Sequence, residues 1–179
     1  IDLKTYHAPY GLNLMESQKG SGLHAHAPDM ILFMLTLDDI HPEFSNPDPE
    51  LHLCQRNNLL EDAVKRVLEI LAMFRAYTSA RIVLTLLPPI MPPALGIYDA
   101  QSAHSENIWR ASLKKQLADT LSNTLESTLF FDMDQILADI GGFHFFDFRF
   151  WYASRFPFTP LAANEFARRL VNLMAISVY

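Results

Sequence analysis

The stretch Asp147-Phe148-Arg149-Phe150-Trp151-Tyr152-Ala153-Ser154-Arg155-Phe156-Pro157 sets two arginines, an aspartate and a tyrosine among aromatic residues. A guanidinium presents parallel N–H groups that match a carboxylate or a phosphate, and aromatic rings can wall a small binding site. The same residues can instead make a structural ion pair, with Asp147 bonded to Arg149 or Arg155 beneath packed rings. The sequence leaves both readings open. Asp147, Arg149, Tyr152 and Arg155 are the leading candidates for substrate binding.

Other polar groupings carry weaker chemistry. Asp132-Met133-Asp134 ends an apolar run with two carboxylates at the spacing of an aspartyl nucleophile and its proton shuttle, as in haloacid-dehalogenase-type phosphotransferases beside Mg²⁺. That motif wants Thr or Val where Ile136 stands, and only 45 residues follow Asp134. A strand end with solvated or helix-capping carboxylates is the preferred reading. Asp38-Asp39-Ile40-His41 places a carboxylate three residues before an imidazole, the orienting half of a nucleophilic triad. A strand end running into a proline-rich loop is the preferred reading. His24 and His26 alternate, but two ligands without partners at metal spacing do not make a metal site. Cys54, two residues from His52, reads as a buried or inert thiol. Neither a Gly-x-Ser-x-Gly elbow nor a glycine-rich phosphate loop occurs.

The elements that would position these groups follow from hydrophobic patterning. Met30–Leu37, Arg81–Leu87 and Thr128–Phe131 are short apolar runs, the pattern of strands buried on both faces, and Leu3–His7 is a fourth candidate. Leu60, Val64, Val67, Leu71 and Phe74 make one helical stripe, and Leu113, Leu117, Leu121 and Leu125 another. Phe166, Leu170 and Leu173 make a third, opened by Thr159-Pro160, and a shorter helix is expected over 133–140, stopping at Gly141. Ser105 is the expected cap of the second stripe. The spacing predicts strands over 30–37, 81–87 and 128–132, and helices over 57–77, 106–126 and 161–176. Strands alternating with helices imply a parallel sheet with right-handed crossovers. The expected fold is a three-layer α/β sandwich of four or five short strands, with ligands at the carboxyl edge. There lie Asp38, the proline-rich segment 88–99 and Asp132, with a loop over 143–157 nearby.

The 179 residues, half of them hydrophobic, suit a single domain spanning 1–179. Fourteen basic against 20 acidic residues give a net charge of −6, which argues against a nucleic-acid partner. No apolar run reaches membrane-spanning length, so no membrane partner is expected. The start, Ile1-Asp2-Leu3-Lys4, does not read as a signal peptide and is not expected to be the native start, and the lone cysteine fits a reducing, cytoplasmic setting.

Several of these residues carry a family resemblance. Ser21-Gly22-Leu23-His24-Ala25-His26-Ala27-Pro28-Asp29 followed by Leu35-Thr36-Leu37-Asp38-Asp39 resembles the N-terminal region of FkbH-like proteins. So do Phe131-Asp132-Met133-Asp134, Gly141 and the aromatic stretch from Asp147 to Pro157. The resemblance implies an SGNH-hydrolase-like (flavodoxin-like) domain, whose first, serine-bearing strand is missing here. In such proteins a haloacid-dehalogenase-like region follows in the same chain, and together they load a glyceryl-type unit onto an acyl carrier protein in polyketide biosynthesis. The family's catalytic aspartate motif would lie beyond Tyr179, so Asp132 and Asp134 do not inherit that role. The last imidazole, His144, precedes Asp147, and the third residue after Asp147 is Phe150, so a Ser-His-Asp triad cannot be assembled from this segment. Asp38 falls near the position where SGNH enzymes carry an oxyanion-donating Asn, and a carboxylate there would repel developing charge. Asp38 therefore joins the substrate-binding candidates. No catalytic residue, metal or cofactor is assigned. The expected function is a domain that is non-catalytic by itself. The alternatives are an active SGNH-type esterase or acyltransferase whose nucleophile lies outside the segment, and a phosphotransferase using Asp132.

Overall fold

The computed structural model describes residues 4–9, 11, 13–48, 52–124, 127–154 and 156–177. The chain divides into two compact units, Ile1–Leu86 with Pro92–Phe131, and Leu87–Met91 with Asp132–Tyr179.

The first unit is built on a three-stranded parallel sheet in the order β1 (Met30–Leu35), β2 (Arg81–Leu86), β3 (Thr128–Phe130). Met30 stands opposite Arg81, and Ile82 opposite Thr128. Two short helices, α1 (Asn13–Glu16) and α2 (Gly22–His26), precede β1. Helices α3 (Leu37–Ile40), α4 (Pro42–Ser45) and the long α5 (Leu53–Arg75) make the first crossover. A 3-10 turn at Gly96–Gln101 and α6 (Glu106–Thr124) precede β3. The predicted stripes form the core: Val67 and Leu71 of α5, and Leu113, Leu117 and Leu121 of α6, pack with Ile31, Phe33, Ile82 and Leu84. Leu125 lies outside the described residues. The central strand β2 is buried on both faces, with Ile82, Leu84 and Leu86 in that core and Val83 and Thr85 buried on the other side. A strand covered on both faces belongs to a three-layer α/β sandwich, as expected.

The second unit contains α7 (Met133–Ile140), α8 (Gly142–Phe145), α9 (Phe148–Ser154) and α10 (Pro160–Ser177). Phe145, Phe158, Ala162 and Phe166 are buried, with edge-to-face contacts between Phe145 and Phe158 and between Phe156 and Phe158.

Strand ends differ from expectation for an identifiable reason. β1 stops at Leu35 because Thr36 caps α3 in a reciprocal box: Thr36 donates its backbone N–H to Asp39, and Asp39 donates its own to the Thr36 hydroxyl. β3 stops at Phe130, and Asp132 caps α7. Lys4–His7 form no strand, Leu3 lies outside the described residues, and three strands occur among those residues instead of four or five. The segment 143–157, expected as a loop, carries α8 and α9. No helix among the described residues is long and apolar enough to cross a membrane.

Candidate functional site

At the carboxyl end of β1, Asp38 lies exposed in the first turn of α3, where the helix dipole favours a negative charge. Its neighbours are structurally engaged. Asp39 accepts from the Thr36 N–H at 2.8 Å and from the Thr36 hydroxyl at 2.7 Å. His41 caps α4, its Nδ1 accepting from the Glu43 N–H at 3.2 Å. That lone pair serves the helix, so the imidazole is not oriented by Asp38 in the manner of a triad.

After β3, Asp132 Oδ1 accepts from the Asp134 N–H at 3.0 Å and closes the first turn of α7. This is the helix-capping arrangement preferred for the Asp132–Asp134 pair. Among the described residues no three His, Cys, Asp or Glu side chains gather where they could hold a metal ion. Of the two expectations for Cys54, buried or inert, burial does not hold: the residue is exposed.

In the second unit, Asp147 caps α9 and grips Arg149. Arg149 donates its backbone N–H to Asp147 Oδ1 at 3.0 Å, and its Nε and Nη2 donate to the two carboxylate oxygens at 3.0 and 2.7 Å. This fork holds the Asp147 carboxyl below the usual carboxylate range and raises Arg149 further above its own. The Asp147 N–H donates to the Pro157 carbonyl at 2.7 Å, which ties the two ends of α9 together. The ion pair anticipated from the sequence therefore forms, but at the surface: the Arg149 side chain is 89% exposed. Tyr152 is also exposed, as are Phe143, Phe148, Phe150 and Phe156. Arg155 lies outside the described residues. Asp38 belongs to the first unit, and Asp147, Arg149 and Tyr152 to the second.

A buried polar network in the first unit has no counterpart in the sequence reading. Asp99, 1% exposed, accepts from the Ser105 hydroxyl at 2.8 Å and from the backbone N–H groups of Glu106 at 2.8 Å and Asn107 at 3.1 Å. Burial pushes its carboxyl up, but these bonds and the nearby Arg110 outweigh that and hold it below the usual range. Arg110 donates to the Phe44 and Ser45 carbonyls and pairs with Glu106 at 3.2 Å, while burial lowers its own pKa. Glu106 in turn accepts from the Ala94 N–H at 3.0 Å, which anchors the proline-rich segment. Arg56 donates to the His104 carbonyl and lies over the Trp109 ring, which stacks on Phe44. The sequence signals for this network are local only: Ser105 before the helical pattern, and Glu106 and Arg110 four residues apart on it.

No family model matches the chain, and no curated protein matches it. One solved structure is similar in fold: the N-terminal part of the protein BF1531 from Bacteroides fragilis, described as containing a phosphatase domain complexed with Mg, at a TM-score of 0.64 and 14% sequence identity. The match covers 88% of this chain and 40% of that one. The likeness establishes a shared α/β fold between this chain and part of a bacterial phosphatase-domain protein.

Proposed function

We propose that this chain is an SGNH-like domain of an FkbH-like protein, non-catalytic by itself, that positions an acyl carrier protein or a glyceryl-type substrate for a haloacid-dehalogenase-like region of the same parent chain. The observation that carries this reading is the use of the catalytic-looking side chains as helix caps. His41, Asp132 and Asp147 hold first-turn N–H groups, and Asp39 accepts from the backbone N–H of the cap residue Thr36. A cap is a stabilising device, and a side chain bonded into one is poorly placed to act as base, nucleophile or orienting carboxylate. The resemblance of the motifs to the N-terminal region of FkbH-like proteins supports the rest. So does the fold shared with a protein described as containing a phosphatase domain, of whose chain the match spans 40%.

Two measurements on the chain test the reading. Turnover of a short-chain p-nitrophenyl ester should stay at the buffer rate. Titration of the labelled chain with a phosphopantetheinylated acyl carrier protein should give saturable shifts that the apo carrier does not reproduce. Ester turnover abolished by a serine-directed fluorophosphonate would replace this reading with an active esterase. Mg²⁺-dependent phosphate release lost in Asp132→Asn would replace it with a phosphotransferase. Absence of any carrier-protein shift would remove the docking role.

A further inference from the structure

A cleft of about 370 Å³ opens in the first unit at the amino edge of the sheet, where Asp29 leads into β1 and Thr78 and Ser79 lead into β2. That volume is within the usual range for small-molecule sites. Leu23, Ile31 and Phe74 give it an apolar lining, and Glu16, His24, Asp29 and Tyr77 give it a polar one.

The local fold explains why these groups meet. Ser21 caps α2, and Ala27 ends it in the left-handed region at φ 48°, donating its N–H to the Leu23 and His24 carbonyls. An L-residue rarely adopts that conformation, and here it turns the chain sharply so that Asp29 follows within two residues. Glu16 is fixed in place, accepting from the Tyr6 hydroxyl at 3.0 Å and the Leu23 N–H at 2.8 Å. His24 Nδ1 accepts from the Gly20 N–H at 3.0 Å, so that lone pair is occupied. The Tyr77 ring lies 6.1 Å from that of His24. Asp29 is exposed, and its carboxylate makes no hydrogen bond among the described residues.

The chemistry of this lining selects a ligand class. Among its described residues it contains two carboxylates, an imidazole and a phenol ring, with no lysine or arginine. Such a surface repels phosphates and carboxylates and attracts a cation, most effectively one whose charge meets both an open carboxylate and an aromatic face. The apolar lining calls for a ligand with a compact hydrocarbon body. We propose that this cleft binds a small organic ammonium ion, with the hydrocarbon part against Leu23, Ile31 and Phe74 and the ammonium group between Asp29 and Tyr77. This site is separate from the carrier-protein role and does not rest on it.

Three probes of one shape and different charge test the proposal: benzylammonium, benzyl alcohol and benzoate, each titrated into the ¹⁵N-labelled chain. Benzylammonium should shift the amides of Leu23, Ala27, Asp29 and Thr78 saturably, benzyl alcohol more weakly, and benzoate not at all. Asp29→Asn should weaken benzylammonium about tenfold while leaving benzyl alcohol unchanged, since one charge-assisted contact is lost. Ser79→Trp, at an exposed lining position, should block both ligands with the rest of the spectrum intact. Equal affinity for the three probes would overturn the proposal. So would an unchanged benzylammonium affinity in Asp29→Asn, or the absence of saturable shifts at the cleft.

Discussion

Replacing Asp99 by alanine tests whether the buried network organises the first unit. The side chain is 1% exposed and accepts three hydrogen bonds, two of them from the backbone N–H groups of Glu106 and Asn107 that open α6. Losing a helix cap costs about 1 kcal/mol, and each buried donor left without an acceptor adds about 1–3 kcal/mol. The Glu106 N–H is fully buried and the Asn107 N–H partly so, which puts Asp99→Ala at about 3–4 kcal/mol. Asp99→Asn keeps one acceptor oxygen but turns an amide toward a backbone donor, and should cost about 1–2 kcal/mol. Against a typical total of about 5–15 kcal/mol, the alanine change removes a large share of the stability. Because the chain has two compact units, the readout must report the first one. Trp109, on α6 and 6% exposed, does so once Trp151→Phe silences the other indole. Urea titrations followed by Trp109 fluorescence should show the midpoint fall with little change in slope. The carboxyl is held below its ordinary value of 3.8. Its stabilisation is therefore present above that pH and is lost as the pH falls toward the folded value. A loss below about 1 kcal/mol in Asp99→Ala, or wild-type and Asn variants of equal stability at neutral pH, would refute the reasoning.

Three further outcomes are expected. Leu117→Ala, at a fully buried position of the α6 stripe, should cost about 2–5 kcal/mol in the same urea assay. Arg168 and Arg169 hold the Glu165 carboxyl down to about 2, so its contribution is complete above its ordinary value of 4.5 and fades below it. Glu165→Gln should accordingly be less stable than wild type at pH 6, and the difference should close as the pH approaches 2. Arg149→Ala should leave the melting temperature nearly unchanged because the side chain is 89% exposed, while a ¹³C carboxyl titration should show Asp147 moving back up toward its ordinary value. A large fall in melting temperature would mean that the pair is structural after all.

The amino-acid sequence by itself determined the parallel α/β architecture, and hydrophobic periodicity is the reason. Leu60, Val64, Val67, Leu71 and Phe74 share a face because a helix repeats every 3.6 residues, and that face is buried. The unbroken runs beginning at Met30 and Arg81 form β1 and β2, since a strand covered on both faces has no polar side to reveal. Capping chemistry was equally local: Ser105 accepts from the Ile108 N–H and Thr159 from the Ala162 N–H, as their positions before helical patterns implied. Tertiary structure alone decided which polar side chains do what. Asp132, Asp147 and His41 looked like chemistry in the sequence, because a motif records spacing and not hydrogen-bond partners. Asp99, Glu106 and Arg110 went unseen because Arg110 reaches the Phe44 carbonyl 66 positions away. The amino-edge cleft was equally invisible, since it brings Glu16 and His24 to Tyr77 from segments whose patterns say nothing about one another. Burial of apolar surface follows local periodicity, whereas a polar site is defined by directional contacts between distant segments, and these exist only once the chain has folded.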